Sequence, residues 1–274
     1  MQFAQPSHAR LGRTHAARYA AVSPLSALGL GFLIGPQPSI LPLATAALSR
    51  SYGRLVALAG LDLTVAAGEC VVLIGANGSG KSTAVRTIAG LLLPSKGSVQ
   101  VHGFDPHREP EAERARAELA LVPDSPLLYD DLTVRQHLEL VTLAHGVIDH
   151  DVDARIDLML ERLSLAARED FLPRELSRGM RQKTQLACAL VRPASLLVLD
   201  EPVVGLDPPS QALLRVLLLE RKRGGAAVLL TTHQMAFADG LADRALMLEE
   251  GEVADEGPWP ELRARAEARG WWAP

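Results

Sequence analysis

The sequence predicts an α/β fold: a mainly parallel sheet with helices, carrying an antiparallel β subdomain and an inserted α-helical subdomain. Three observations predict it. Cys70-Val71-Val72-Leu73-Ile74 is a short, continuously apolar run, as expected of a strand covered on both faces in a parallel sheet. Leu55–Val65 alternates apolar and polar positions before Ala66-Ala67-Gly68, the pattern of a half-buried strand and a turn. From about Tyr129 to Val191 the apolar positions recur at helical spacing instead.

Composition bounds the answer. The chain has 274 residues, 48% apolar and 22% charged, which is the balance of a globular chain with a sizeable core. Lysine and arginine total 28 against 32 acids, a formal charge of −4, so no overall basic field argues for nucleic acid. Cys70 and Cys188 lie far apart and lack metal-ligand spacing. A disulfide scaffold or zinc module is therefore not expected, and the usage suits a reducing cytoplasm. Nowhere do some twenty apolar residues run together, roughly what a membrane-spanning helix needs.

Taken in order, residues 1–46 read as an N-terminal extension, expected to be flexible. Arg10, Arg13 and Arg18 precede an apolar stretch from Ala20 to Ile34 that superficially resembles a signal peptide. Pro24, Gly29, Gly31, Gly35 and Pro36 break it up, and no clear small-residue cleavage site closes it. The regular domain is expected over 47–257. Ser98–Val101 reads as a short strand after the Pro94–Gly97 turn, Leu196–Leu199 and Ala226–Leu230 as buried strands, and Ala245–Val253 as a hairpin turning at Glu250-Gly251.

Between these strands lies the helical insertion, about 125–190. Thr133 with Gln136 three residues on makes a capping box, and Val134, Leu138 and Val141 share one face until Gly146 stops the helix. Ile156, Leu160 and Leu163 form a second stripe. Ser177 is placed to cap a third helix carrying Leu186 and Leu190. The tail, 258–274, holds all three tryptophans, Trp259, Trp271 and Trp272, expected to pack back onto the core.

Chemistry enters at Gly75-Ala76-Asn77-Gly78-Ser79-Gly80-Lys81-Ser82-Thr83, which has the P-loop spacing, with Gly75, Gly80, Lys81 and Ser82 in the defining positions. Glycines let backbone N–H groups turn inward around phosphate oxygens, and the following helix adds its positive end. Lys81 is suited to neutralise the β- and γ-phosphates and Ser82 to supply a hydroxyl to Mg²⁺. A partner strand ending in acids is expected, and Leu196-Leu197-Val198-Leu199-Asp200-Glu201 provides it. Asp200 would hold Mg²⁺ and Glu201 would polarise a water. The core is thus predicted to be that of a P-loop nucleoside triphosphatase.

From about Leu48 to Gly257 the chain resembles the ATP-binding subunits of ABC (ATP-binding cassette) transporters. Leu176-Ser177-Arg178-Gly179-Met180-Arg181-Gln182 is similar to the family's signature motif, with Arg178 and Met180 in place of the usual glycine and glutamine. The resemblance implies several roles. Tyr52 stacks on adenine; Ser177 and Gly179 meet the γ-phosphate held by a second copy; Gly205-Leu206-Asp207 links the two sites; His233 contacts the γ-phosphate. ATP and Mg²⁺ are the implied cofactors. A second cassette, in a homodimer, and separate integral membrane permease subunits are the implied partners, with the chain on the inner face of the cell membrane.

One departure matters: where the family places a glutamine that touches Mg²⁺ and senses the transporter, Leu121-Val122-Pro123-Asp124 puts Asp124. The signature form and Tyr129-Asp130-Asp131-Leu132-Thr133 resemble the multidrug and drug-resistance exporter branch. A soluble cassette acting on ribosomes or DNA, without transport, would use the same ATP chemistry. A P-loop kinase or GTPase is disfavoured by the signature-like motif and the lack of an Asn-Lys-x-Asp guanine motif.

Overall fold

The structure is a computed structural model, and it describes residues 40–147 and 149–269. Most of the expected N-terminal extension, and Trp271 and Trp272, lie outside the described residues. In chain order the elements are β1 (Leu43–Tyr52), β2 (Leu55–Val65), β3 (Cys70–Ile74), α1 (Lys81–Ile88), β4 (Lys96–Val101), α2 (Glu111–Glu118) and β5 (Leu119–Val122). The helical insertion supplies α3 (Val134–Ala144), α4 (Val152–Arg162) and α5 (Arg178–Leu190). Then follow β6 (Leu196–Asp200), α6 (Pro208–Arg223), β7 (Ala227–Thr231), α7 (Met235–Ala238), β8 (Arg244–Glu249), β9 (Glu252–Pro258) and α8 (Trp259–Ala268).

Two sheets result. A three-stranded antiparallel sheet has the order β2-β1-β4, and a six-stranded sheet has the order β5-β6-β7-β3-β8-β9, parallel except for the terminal β8–β9 hairpin. β3, β6 and β7 are buried at every position. Their side chains alternate faces, and that alternation sorts them between two cores. Val71 and Leu73, with Leu196, Val198 and Leu229, pack with the antiparallel sheet and α1. Cys70, Val72 and Ile74, with Leu197, Leu199 and Leu230, pack with the helical insertion, α6 and α8.

β1 begins at Leu43, upstream of the expected domain start at 47. Its alternation is interrupted: the pairing with β2 shifts register between Thr45 and Leu48, and Ala47 takes φ 46°. A bulge of this kind breaks the period-2 pattern by which a strand is read. In the helical insertion, Thr133 accepts from the Gln136 N–H and the Gln136 side chain accepts from the Thr133 N–H, so the predicted capping box closes at the start of α3. The Trp259 side chain is buried against the helical side of the core, as expected of a tryptophan that packs back.

Candidate nucleotide-binding site

Because β5, β6, β7, β3 and β8 run parallel, their carboxyl ends lie along one edge of the sheet, where ligands of open α/β sheets bind. The loop from β3 to α1 occupies that edge. Gly75 enters it at φ 150°, and a Cβ there would lie 2.3 Å from the Leu248 carbonyl oxygen, so the path is open only to glycine. Lys81 is buried, and its Nζ donates to the carbonyls of Gly75 at 2.7 Å and Ala76 at 3.0 Å, closing the loop into a ring. Burial pulls its pKa below the ordinary lysine value, while Glu201 and Asp200 pull the other way.

No side chain caps α1, and Gly80 precedes it in the left-handed region at φ 103°. The first N–H groups of the helix are therefore left for a ligand. The Ser79 Oγ is buried without a hydrogen-bond partner, an orphaned polar atom in the wall of this cradle.

The acids stand beside it, at the end of β6. Asp200 is 1% exposed, and its Oδ1 accepts from the Thr231 hydroxyl at 2.5 Å. Glu201 takes φ 49°, a left-handed conformation costly for a residue with a Cβ. Its N–H donates to the Thr231 hydroxyl at 3.0 Å, and its Oε2 accepts from the His233 N–H at 3.0 Å. The His233 Nε2 lies 3.1 Å from Oε1, so both carboxylate oxygens face the same histidine. Burial raises the Glu201 pKa; the His233 N–H acts in the opposite direction.

A cleft of about 450 Å³ joins these groups. Asn77, Gly78, Gly80, Lys81, Ser82 and Thr83 line one side; Tyr52, Asp124, Glu201 and His233 line the rest. Asp124 lies 3.5 Å from the Arg86 guanidinium. Three expected site residues are elsewhere. Ser177 is an exposed N-cap that accepts from the Met180 N–H at 3.2 Å, and Asp207 caps α6 by accepting from the Ser210 N–H at 3.1 Å. The Ser210 hydroxyl, and after it the Ser210 N–H, hold the Asp207 carboxyl below the usual range. Gly179 faces the Gly205 carbonyl so closely that a Cβ would come to 2.7 Å of it, which packs the signature-like helix start against the loop after Glu201.

Sequence reasoning passed over Thr231, Arg86 and Gln182. Gln182 is buried and donates to the Pro202 carbonyl at 3.1 Å, tying α5 to the acid loop. A polar residue closing an apolar strand next to an acid-ended strand was the available signal for Thr231. Arg86 and Gln182 carry none, since each partner is distant in sequence.

The residues fit a nucleoside triphosphate with a hard divalent cation. The glycine cradle, the buried lysine and the orphaned Ser79 hydroxyl suit phosphate oxygens. Ser82, Asp200 and Asp124 offer oxygen atoms, the kind of donor a hard divalent cation prefers. Among the described residues no group of three or more His, Cys, Asp or Glu is placed to hold a metal.

A closed glycine ring, an uncapped helix start and an acid pair ending a parallel strand one strand removed in the same sheet define a P-loop nucleoside triphosphatase. Residues 58–204 match the family model described as ABC transporter. The chain is 40% identical over 215 residues to a daunorubicin resistance ATP-binding protein of Streptomyces coeruleorubidus, covering 78% of this chain and 67% of that one. It is 33% identical over 222 residues to a peptide export ATP-binding protein of Bacillus subtilis (strain 168), covering 81% and 91%. A solved ATP binding subunit of an ABC transporter superposes with a TM-score of 0.77 at 34% identity, covering 83% of this chain and 94% of that one. The chain belongs to the ABC transporter ATP-binding family; it binds ATP and is an ATPase.

Proposed function

We propose that this chain is the ATP-hydrolysing subunit of an exporter, paired with a second copy of itself on the cytoplasmic face of the membrane. In this reading it drives separate permease subunits that pass a drug-like or other small substrate. One observation supports the pairing: the residues assigned to phosphate divide between two surfaces. The cradle, Glu201 and His233 line the cleft, whereas Ser177, Gly179 and Asp207 sit together outside it. A second copy, turned head to tail, brings its Ser177 helix start to the phosphate that the first copy grips. Nucleotide state then sets the distance between subunits.

In each site the backbone N–H groups of 75–83 and Lys81 hold the β- and γ-phosphates. Tyr52 stacks on the base. Glu201 takes a proton from the attacking water, and His233 orients that carboxylate and faces the γ-phosphate. Ser82, Asp200 and Asp124 would hold Mg²⁺, which would supply positive charge against the phosphate oxygens. Asp124 adds a negative charge that a glutamine would not, partly offset by Arg86.

The permease reading is supported by an exposed apolar surface. Leu91 is 58% and Leu127 70% exposed, and Leu93, Tyr129 and Leu143 are exposed too. Leu91 and Gln185 line one groove, and the Gln185 side chain accepts from the Leu127 N–H, so Leu91 and Leu127 share a face; apolar side chains exposed together mark interaction sites. Among the described residues no helix is long and apolar enough to cross a membrane. The names of the relatives, which speak of drug resistance and of peptide export, support transport out of the cell over a ribosome- or DNA-directed role.

Size-exclusion chromatography with MgATP tests the pairing. Glu201→Gln is expected to bind ATP and elute as a dimer, and Lys81→Ala to stay monomeric without bound nucleotide. A Glu201→Gln chain that hydrolyses ATP normally, or stays monomeric with ATP bound, overturns the reading.

A further inference from the structure

Tyr52 ends β1 as a half-exposed ring at the mouth of the cleft, next to the Gly53–Arg54 turn into β2. An aromatic side chain in that position has little of its own strand to hold it, and a mobile ring makes a poor stacking platform because its order must be recovered on binding. Two residues back, Arg50 supplies what is missing. Its guanidinium carbon lies 4.8 Å from the centroid of the Tyr52 ring, in cation–π geometry. Its Nη1 donates to the Leu93 carbonyl at 2.8 Å, while its Nε is buried with no hydrogen-bond acceptor. The Leu93 carbonyl and the ring face therefore set the place of the guanidinium.

The anchor is not isolated. Leu93 belongs to the segment that follows α1, the helix rooted in the phosphate cradle. That segment is stitched to β1 twice more: the Ser95 N–H donates to the Ser49 carbonyl at 2.7 Å, and the Ser51 N–H donates to the Ser95 hydroxyl at 3.0 Å. Tyr52 lines the cleft and Arg50 does not. One face of the ring is thus covered by a cation tied to the chain leaving the phosphate helix, and the other is left for a planar, electron-rich base.

We propose that Arg50 is a positioning residue for adenine, clamping the Tyr52 ring from behind at a fixed distance from the phosphate cradle. The inference rests on reading Tyr52 as the base platform. It predicts a selective defect. An arginine stacked on a partly exposed ring contributes about two- to fivefold in affinity. That contribution belongs to the base alone, not to the phosphates.

Calorimetric titration of the full chain with ATP and, separately, with inorganic tripolyphosphate, both with Mg²⁺, tests this. Arg50→Met is expected to weaken ATP binding about two- to fivefold and leave tripolyphosphate unchanged, with Arg50→Lys in between. In a Tyr52→Ala background Arg50→Met should have no further effect. Tyr52→Ala alone should weaken ATP by about fivefold to a hundredfold, the range for base–aromatic stacking. Equal weakening of both ligands by Arg50→Met would mean a merely structural role and overturns the proposal. So does unchanged ATP binding in Arg50→Met when Tyr52→Ala is weakened. If Tyr52→Ala itself binds ATP normally, the platform reading fails and the proposal falls with it.

Discussion

Thr231 donates its hydroxyl hydrogen to Asp200 and accepts on the same oxygen from the Glu201 N–H, so one side chain orients both acids of the site. Each bond offsets a cost. A carboxylate as buried as Asp200 is unfavourable unless it is hydrogen-bonded, and the left-handed turn at Glu201 is worth about 1–3 kcal/mol of strain. Thr231→Val keeps the shape and removes the hydroxyl. It is expected to lower stability in urea by about 1–3 kcal/mol and kcat by about tenfold or more, with ATP affinity little changed. Thr231→Ser should recover most of both. Wild-type kcat and stability in Thr231→Val would show that the acids are held by other means. The P-loop glycines, Lys81, Asp200 and Glu201 were legible in the sequence because their chemistry is written contiguously. Thr231 was marked only as a polar residue closing an apolar strand; its partner was not legible, since the strand pairing β6–β7 alone brings it to Asp200, thirty-one positions away.

α8 illustrates the same contrast one scale up. Its apolar face, Trp259, Leu262 and Ala266, has the i, i+3, i+7 spacing of a helix laid on a core, and all three residues are buried. Its polar contacts could not be read in advance. The Trp259 Nε1 donates to Asp239 at 3.0 Å, Arg263 also donates to Asp239, and Arg265 makes a two-pronged contact with Asp255, 2.9 Å on each arm. Burial acts to raise the Asp239 pKa, but hydrogen bonds from Arg263 and Trp259 outweigh it and hold the group below the usual range. Asp255 is held down by Arg265. A depressed folded-state pKa means stabilisation that is present at neutral pH and lost as pH falls below the unfolded value, about 3.9, through the folded one. The α8 attachment is therefore expected to loosen below about pH 4. All three tryptophans lie in 259–272, so intrinsic tryptophan emission reports on this tail alone. A red shift that precedes loss of far-UV circular dichroism on acid titration is the expected result. Coincident transitions would show that α8 is no weaker than the core. Asp239 follows the last residue of α7, the short helix after His233, so this clasp also braces the histidine loop from behind.

Across the whole molecule, the ATP cleft and the exposed apolar surface share their supporting elements. α1 starts in the phosphate cradle and ends next to the segment bearing Leu91 and Leu93; β5 runs directly to Asp124 and on to Leu127. The Leu127 N–H donates to the Gln185 side chain at 2.9 Å, which ties this surface to α5, the helix that Ser177 caps. Gln182, on the same helix, holds the loop after Glu201. In the proposed assembly a partner pressing on Leu127 would act on two structures assigned to the phosphate: the Asp124 loop of the same chain and the Ser177 helix that faces the second copy. Coupling of this sort requires that the two surfaces be separable by mutation. Leu127→Glu alters only an exposed side chain, so basal ATPase should stay within about twofold, the usual limit for surface substitutions, while stimulation by a membrane partner is lost. Asp124→Gln, which restores the neutral amide usual in the family, should change both the basal rate and its stimulation, because Asp124 stands in the cleft itself and leaves Arg86 without its carboxylate. Measured in proteoliposomes with the permease, full stimulation of Leu127→Glu would move the docking surface elsewhere. An Asp124→Gln chain indistinguishable from wild type in rate and stimulation would remove that residue from the path between partner and phosphate.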